Sequence, residues 1–148
     1  GYLVAPKDFV KEAAQFRKII DRQGDPLLEL TMATMIKERS LHRYSKKNLK
    51  IYKNRRDLFC KLLKEKLGEY IEFEIPDGGM AVWVKLNKKY SWDMIKQLAY
   101  KKGLLLNDWR RYDTSNEKHN CIRMGFASIN EKEISKAISI LEEVFKNI

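Results

Sequence analysis

The fold of this chain is decided by the stretch YIEFEIPDGGMAVWVKL, residues 70–86. Polar and apolar residues alternate from Tyr70 to Ile75, and alternation with a period of two is typical of a half-buried strand. Residues 76–79 are Pro-Asp-Gly-Gly, which favours a turn, and a mainly apolar run follows from Met80 to Leu86. The stretch therefore predicts two strands that pair as a hairpin or lie close together.

Three helices are predicted on the N-terminal side of these strands. Asp8 is a candidate cap for the first helix, which is expected to end near Gly24. Asp25 followed by Pro26 is typical of the cap and first residue of a second, strongly apolar helix, because proline loses no helical hydrogen bond there. Residues 41–67 repeat apolar side chains at helical intervals before Gly68, which predicts a long amphipathic helix.

A short helix and two more strands are predicted after residue 86. Ser91 is a candidate cap for the helix, which is expected to end at Gly103 because glycine readily adopts a left-handed backbone. Residues 104–106, three leucines, are predicted as a third strand, and residues 121–127 as a fourth. The polar stretch 107–120 between them is predicted as a loop.

The last helix is indicated by a capping box, for which two pairs qualify: Ser128 with Glu131, or Asn130 with Glu133. Its apolar residues recur at helical spacing, as expected for a helix with one buried face. They are Ile134, Ala137, Ile138, Leu141, Phe145 and Ile148. Together the elements predict an α+β fold, in which a small and mostly antiparallel sheet is covered by helices.

The composition excludes several classes of protein. With 148 residues, 44% of them hydrophobic, the chain has enough apolar material for one core, which argues against disorder. No apolar run reaches the ~18 residues of a bilayer crossing and the first residues show no signal pattern, so a cytoplasmic protein without membrane contact is expected. Two cysteines, Cys60 and Cys121, make no metal quartet with two isolated histidines, His42 and His119, and no metal is expected.

The positive charge is concentrated in one segment. The formal net charge is +10, and residues 37–66 contain twelve Lys or Arg against three Asp or Glu. Such an excess is typical either of a solvated helix face or of a surface that binds nucleic acid. Tyr44 and Tyr52 fall with the leucines of the helix instead of among its basic residues, which favours the solvated face over a nucleic-acid-binding module.

One charged residue interrupts a predicted apolar strand. Arg123 follows Ile122 and precedes Met124, and it is expected to point to the face opposite to theirs. Because a guanidinium is costly to bury alone, an arginine in such a strand needs a partner. The partner is either an acidic side chain of the chain itself, in a structural ion pair, or the carboxylate of a ligand, which matches the planar fork of guanidinium donors.

The ordered set of motifs resembles the fold-type-I aminotransferases over essentially the whole chain. Residues 1–6, Gly-Tyr-Leu-Val-Ala-Pro, are similar to the strand that follows the cofactor-binding lysine of that family. Residues 52–57, Tyr-Lys-Asn-Arg-Arg-Asp, are similar to the long helix that leads into its small domain, and residues 76–83 resemble its Gly-Gly hairpin. Residues 121–127, Cys-Ile-Arg-Met-Gly-Phe-Ala, resemble the strand whose arginine binds the α-carboxylate of the substrate.

The resemblance implies a C-terminal small domain cut from a longer parent protein. Residues 1–36 are then the end of the large domain with its linking helices, and residues 37–148 are the small domain. Arg123 is the implied substrate-binding residue, and the parent holds pyridoxal phosphate through residues expected upstream of this chain. No residue of the chain is expected to be catalytic or to bind the cofactor, so this fragment alone is expected to be inactive.

Within the family, residues 123–134 are most similar to the GntR/MocR regulators, in which a winged-helix DNA-binding domain precedes an aminotransferase-like domain. That similarity implies a homodimeric parent that binds an amino acid or amine effector and contacts DNA through its N-terminal domain. A fragment of a free-standing amino acid transaminase is the alternative. The chain departs from the family at residues 107–112, Asn-Asp-Trp-Arg-Arg-Tyr, where a Pro-Gly-x-x-Phe-like loop is usual, so neither substrate identity nor transamination follows from the resemblance.

The resemblance also gives the two apolar N-terminal helices a second packing partner, the large domain. Without that domain their apolar surface is expected to be exposed, and we expect self-association or domain exchange of this chain.

Overall fold

The computed structural model describes residues 3–21, 24–107 and 120–148, which contain five helices and three strands. The order of elements is α1 Lys7–Ile20, α2 Pro26–Lys37, α3 Ser40–Leu67, β1 Ile71–Phe73, β2 Ala81–Leu86, α4 Trp92–Lys101, β3 Cys121–Gly125 and α5 Glu131–Lys146. The chain divides into two compact units, Gly1–Lys46 (unit 1) and Lys47–Ile148 (unit 2).

Unit 1 contains α1, α2 and the first residues of α3, and none of its described residues is buried. Asp25 caps α2 as predicted, because its carboxylate accepts hydrogen bonds from the backbone N–H groups of Leu27 and Leu28. The predicted cap at Asp8 is wrong. Helix α1 begins at Lys7, and Asp8 lies in its first turn, where a negative charge is stabilised by the positive end of the helix dipole.

The long amphipathic helix predicted over residues 41–67 is confirmed as α3. Its buried side chains all lie in the last nine residues: Phe59, Cys60, Leu63 and Leu67. The glycine that follows α3 is required by close contact with the last turn. A Cβ atom at Gly68 would lie 2.5 Å from the carbonyl oxygen of Lys64. The residue that follows α3 is therefore a glycine, which has no Cβ atom.

The sheet has the order β1-β2-β3, and both neighbouring pairs are antiparallel. The pairing predicted for residues 70–86 is confirmed, with residues 74–80 as the connection between β1 and β2. Within this connection Gly79 has a φ angle of 87°, which favours glycine. The guanidinium of Arg56 in α3 donates to the carbonyl oxygens of Pro76 and Asp77 at 3.1 and 3.2 Å, and this fixes the connection against the helix.

The strand predicted at residues 104–106 is wrong, whereas the strand predicted at residues 121–127 is confirmed as β3. The backbone of Leu104 continues the end of α4, since its N–H donates to the carbonyl oxygen of Ala99 at 2.9 Å. Leu105 is 78% exposed. Three consecutive leucines carry no periodicity, so the sequence alone does not separate a strand from an irregular segment. The loop is predicted over residues 107–120, and its residues 108–119 lie outside the part of the chain that the structure describes.

The core of unit 2 lies between one face of the sheet and helices α3, α4 and α5. Ser91 caps α4 as predicted, and α5 begins with the capping box of Asn130 and Glu133, the second of the two pairs considered. The largest fully buried side chains are Trp92, Phe126, Leu63, Leu67, Leu86, Ile95, Ile122, Ile134, Ile138, Leu141, Val82 and Val84. The predicted α+β fold, a small antiparallel sheet with helices packed on it, is confirmed. None of the described helices combines the length and apolar character of a membrane crossing.

Candidate ligand-binding site at Arg123

Arg123 lies on the face of the sheet that is turned away from the core. Its neighbours along β3, Ile122 and Met124, are buried, whereas Arg123 is exposed. Directly opposite Arg123 on β2 is Trp83, and Lys85 lies on the same face, opposite the first residue of β3. The structure therefore orients Arg123 as the alternation of β3 predicts.

The guanidinium of Arg123 makes neither an ion pair nor a hydrogen bond with any side chain or carbonyl group in residues 3–21, 24–107 and 120–148. Lys85, a second cation on this face, lies 3.8 Å from the carboxylate of Glu72. The first of the two partners considered for Arg123, an acidic side chain of the chain itself, is therefore not found in the described part of the chain. Within the described residues, the positive charge of Arg123 is therefore not neutralised by an acidic side chain.

A cleft of about 330 Å³ opens along the outer edge of β3. Residues 122–125 all line it, and four consecutive residues share one wall only along the edge of a strand, because their side chains alternate between faces. Residues 104–107 line it as well, so the segment predicted as a strand borders the cleft instead of pairing with β3. Among the described residues that line the cleft, Arg123 is the only charged one.

The C-terminal end of β3 is held by Arg55 of α3. Its Nη1 donates to the carbonyl oxygen of Ala127 at 2.6 Å, and its buried Nε lies 3.5 Å from the carboxylate of Glu131 without forming a hydrogen bond. One side chain thus connects the middle of α3, the second residue after β3 and the first turn of α5. Arg55 belongs to the family-like motif of residues 52–57, but the resemblance implies no role for it.

The two cysteines are buried free thiols. Burial raises the pKa of both thiols, and at Cys121 a hydrogen bond with Trp83 opposes only part of the rise. A raised pKa keeps a thiol protonated and unreactive, which supports a packing role for Cys60 and Cys121. His42 is exposed, and His119 lies outside the described residues.

The basic segment 37–66 is partly used for contacts within unit 2. Arg55 and Arg56 bind backbone carbonyls, and Lys66 lies 2.8 Å from the carboxylate of Glu142. The other lysines of the segment are exposed, as a solvated face predicts. Binding of nucleic acid by this segment stays a prediction.

The cofactor implied by the resemblance does not fit the cleft residues by themselves. Pyridoxal phosphate needs a lysine amine for its aldehyde and a carboxylate beside its ring nitrogen. The described residues that line the cleft include neither a lysine nor a carboxylate. No step of cofactor chemistry is therefore assigned to the residues of this chain.

Comparisons with known proteins extend the sequence resemblance. The family model for class I and II aminotransferases matches residues 1–141. The aromatic-amino-acid aminotransferase 1 of Thermococcus litoralis is 23% identical over 146 residues, which are 99% of this chain and 35% of that protein. The HTH-type transcriptional regulator NorG of Staphylococcus aureus is 25% identical over 142 residues, 93% of this chain and 31% of that regulator.

Solved aminotransferase structures have the same fold. The α-aminoadipate aminotransferase LysN of Thermus thermophilus superposes on 97% of this chain with a TM-score of 0.85 and 18% identity, and the match covers 37% of LysN. The multiple substrate aminotransferase of Thermococcus profundus superposes on 76% of this chain with a TM-score of 0.69 and 26% identity, and the match covers 28% of that enzyme. The chain therefore spans about a third of the length of the proteins it matches.

Proposed function

Because the chain belongs to the family of class I and II aminotransferases, we propose that it is the ligand-binding small domain of a longer pyridoxal-phosphate protein. In this proposal residues 1–36 are the end of the large domain with its linking helices, and residues 37–148 are the small domain. The cofactor is held by residues outside this chain. Arg123 binds the carboxylate of an amino acid.

The observation that carries the proposal is the combination of charge and access at Arg123. Its guanidinium is exposed, has no anionic partner in the described residues and borders a cleft whose other described lining residues are uncharged. An arginine in this setting binds a carboxylate with two parallel, charge-assisted hydrogen bonds.

We further propose that the complete protein is a GntR/MocR-type regulator and that the amino acid is its effector. The supports are the Arg-Met-Gly-Phe sequence at residues 123–126 and the similarity to HTH-type regulators of two genera, NorG and YdfD of Bacillus subtilis. Such a protein is a cytoplasmic homodimer that contacts DNA through a winged helix. A free-standing transaminase is the alternative, supported by the similarity to the Thermococcus litoralis enzyme. Operator DNA binding that changes with the amino acid distinguishes the regulator.

The proposal is tested by the preference of the complete gene product for a carboxylate over its neutral amide. The twenty standard amino acids are screened by thermal shift, and the one that stabilises the protein most is titrated by calorimetry beside its carboxamide. In Arg123→Gln we expect the affinity for the amino acid to fall about 10- to 100-fold, because a hydrogen-bonded charge pair contributes roughly 1.5–3 kcal/mol. The affinity for the carboxamide stays nearly unchanged.

Lys85→Gln is the matched control, because Lys85 is another cation on the same face of the sheet and does not line the cleft. It is expected to retain the preference for the carboxylate. Equal affinities of Arg123→Gln and the unaltered protein for the amino acid would contradict the role of Arg123. Absence of stabilisation by all twenty amino acids would contradict the ligand class.

A further inference from the structure

We propose that Asn120, the residue before β3, is a positioning residue that sets where Arg123 stands. The inference rests on the proposed function of Arg123 and adds a second residue to that site. Asn120 acts through Arg123 and does not itself contact the ligand. It fixes the start of the strand whose third residue is the carboxylate-binding arginine.

The backbone of Asn120 adopts a conformation that few residue types accept. Its φ angle is 50°, in the left-handed region, where asparagine is several-fold enriched over other residues with a side chain. This conformation turns the chain sharply just before the extended residues of β3. The amino acid at this position is therefore restricted before any side-chain contact is considered.

The side chain of Asn120 uses both donors of its amide. Its Nδ2 donates to the carbonyl oxygens of Leu86 and Tyr90, each at 3.2 Å. These carbonyls belong to the end of β2 and to the residues that precede α4. A single partly buried amide thus binds the start of β3 to two other segments of unit 2.

The backbone carbonyl of Asn120 accepts two more hydrogen bonds. The N–H of Leu86 donates to it at 2.9 Å, and the indole N–H of Trp92 donates to it at 2.9 Å. Trp92 is 1% exposed, so this donor is fixed in the core. Four hydrogen bonds, two through the side chain and two through the carbonyl, therefore converge on one residue.

These bonds determine the register of β3 against β2. The last paired residues are Lys85 and Cys121, and the bond from Leu86 to Asn120 continues the pairing by one residue. A slip by one residue would turn every side chain of β3 to the opposite face of the sheet, and Arg123 would point into the core. Asn120 thus holds Arg123 opposite Trp83, on the face away from the core.

The test separates the amide donors of Asn120 from its backbone conformation. Asn120→Gly retains the left-handed conformation and removes both donors. In the complete gene product, the preference for the most stabilising standard amino acid over its carboxamide is expected to fall about three- to tenfold, since displacement of a binding group by about 1 Å weakens its interaction sharply. Compared with the unaltered protein, the variant is expected to exchange hydrogen faster at the backbone amides of residues 121–125, and its amides at residues 81–86 are expected to change less.

Asn87→Gly is the matched control, because Asn87 is exposed and its side chain accepts only a local hydrogen bond from the N–H of Lys89. It is expected to leave the carboxylate preference unchanged. If Asn120→Gly does not fold, Trp92→Phe removes one of the four hydrogen bonds while retaining an aromatic ring, and a smaller fall in the same preference is expected.

The outcomes distinguish the two hypotheses. If Arg123→Gln loses the carboxylate preference while the Asn120 and Trp92 variants retain it and are merely less stable, Asn120 is structural and the inference is overturned alone. If Arg123→Gln itself retains the preference, both the proposed function and the positioning role are overturned. A lost preference in Arg123→Gln and a reduced one in Asn120→Gly, with Asn87→Gly unchanged, supports both.

Discussion

Unit 1 and unit 2 both contain helices with clear capping signals, yet only the helices of unit 2 bury side chains. Asp25 caps α2 in unit 1, and Asn130 with Glu133 forms a capping box at α5 in unit 2. No described residue of unit 1 is buried, whereas α5 alone buries five residues. Capping determines where a helix begins, but burial depends on the partners that its apolar side chains find.

The two units also differ in how apolar residues are arranged around their helices. In α5 they form one stripe that faces the core, as its buried residues Ile134, Ile138 and Leu141 show. In α2 the sequence Pro-Leu-Leu-Glu-Leu-Thr-Met-Ala-Thr-Met-Ile-Lys places apolar residues on most of the surface. A helix of this kind needs more than one partner, and we propose that the rest of a longer protein covers it.

The largest expected difference between the units is the effect of removing one leucine side chain from each. Leu63 of α3 is fully buried, and Leu63→Ala is expected to lower the free energy of unfolding by about 2–5 kcal/mol through lost burial and a cavity. Leu28 of α2 is 61% exposed, and Leu28→Ala is expected to change it by no more than about 0.5 kcal/mol. Urea unfolding of this chain, followed by tryptophan fluorescence, measures both values. Similar losses would contradict the difference in burial.

The next effect concerns association, because the exposed apolar residues of unit 1 are expected to make this chain self-associate. Phe16 of α1 is 65% exposed and borders an apolar groove with Phe9 and Ile20. Phe16→Glu is expected to weaken self-association at least about tenfold, or about 1.4 kcal/mol. Tyr100→Glu, at an aromatic residue of α4 in unit 2 that is 69% exposed, is the control and is expected to have little effect. Light scattering over a concentration series measures the change, and a monomer at the highest concentration would contradict the prediction.

Elements with two independent signals in the sequence are predicted correctly. Helix α4 has both a capping serine and an apolar stripe that buries Trp92, Ile95 and Ala99, and α3 has its long periodicity and a terminal glycine. Residues 104–106 have only their apolar character, and the strand predicted there is absent. The orientation of Arg123 follows from alternation, which is a local property of a strand.

The surroundings of Arg123 are not predictable in the same way, because they depend on contacts between distant residues. Arg55 and Ala127 are 72 positions apart, and Asn120 is 34 positions from Leu86. No local pattern encodes such distances. The left-handed backbone of Asn120 has only a weak signal, an asparagine directly before a strand.

The third effect compares the two helix caps. Asn130→Ala is expected to lower the free energy of unfolding by about 1 kcal/mol, because it leaves N–H groups of α5 without an acceptor, and α5 is part of the core. Asp25→Ala removes an equivalent cap from α2, which has no buried residues. It is expected to reduce the helical circular dichroism signal and leave the urea midpoint nearly unchanged. An equal shift of the midpoint in both variants would show that α2 unfolds together with the core.

The smallest effect is the dependence of stability on pH, and it should also arise in unit 2. Lys146 and Lys66 donate hydrogen bonds to the carboxylate of Glu142 and hold its pKa at about 2, below the ordinary 4.5. A carboxylate with a depressed pKa in the folded state stabilises the fold above its unfolded pKa, and this contribution is lost as pH falls from 4.5 towards 2. In unit 1, Arg17 and Asp21 form an exposed pair at 3.5 Å, which contributes little.

Glu142→Gln removes the ionisable group and retains the shape of the side chain, so it isolates this contribution. We expect the urea midpoint of Glu142→Gln to lie below that of the unaltered chain by a constant amount above about pH 6, because Glu142 is almost fully ionised there in both states. As pH falls through 4.5 towards 2, the two midpoints should converge, since the unaltered chain loses the contribution that the variant never had. Asp21→Asn in unit 1 should follow the unaltered chain throughout. If the difference in urea midpoint between Glu142→Gln and the unaltered chain stays undiminished at pH 2, the carboxylate acts through packing and not through its charge. If Asp21→Asn shows an equal difference in midpoint, the two units do not differ in their dependence on pH.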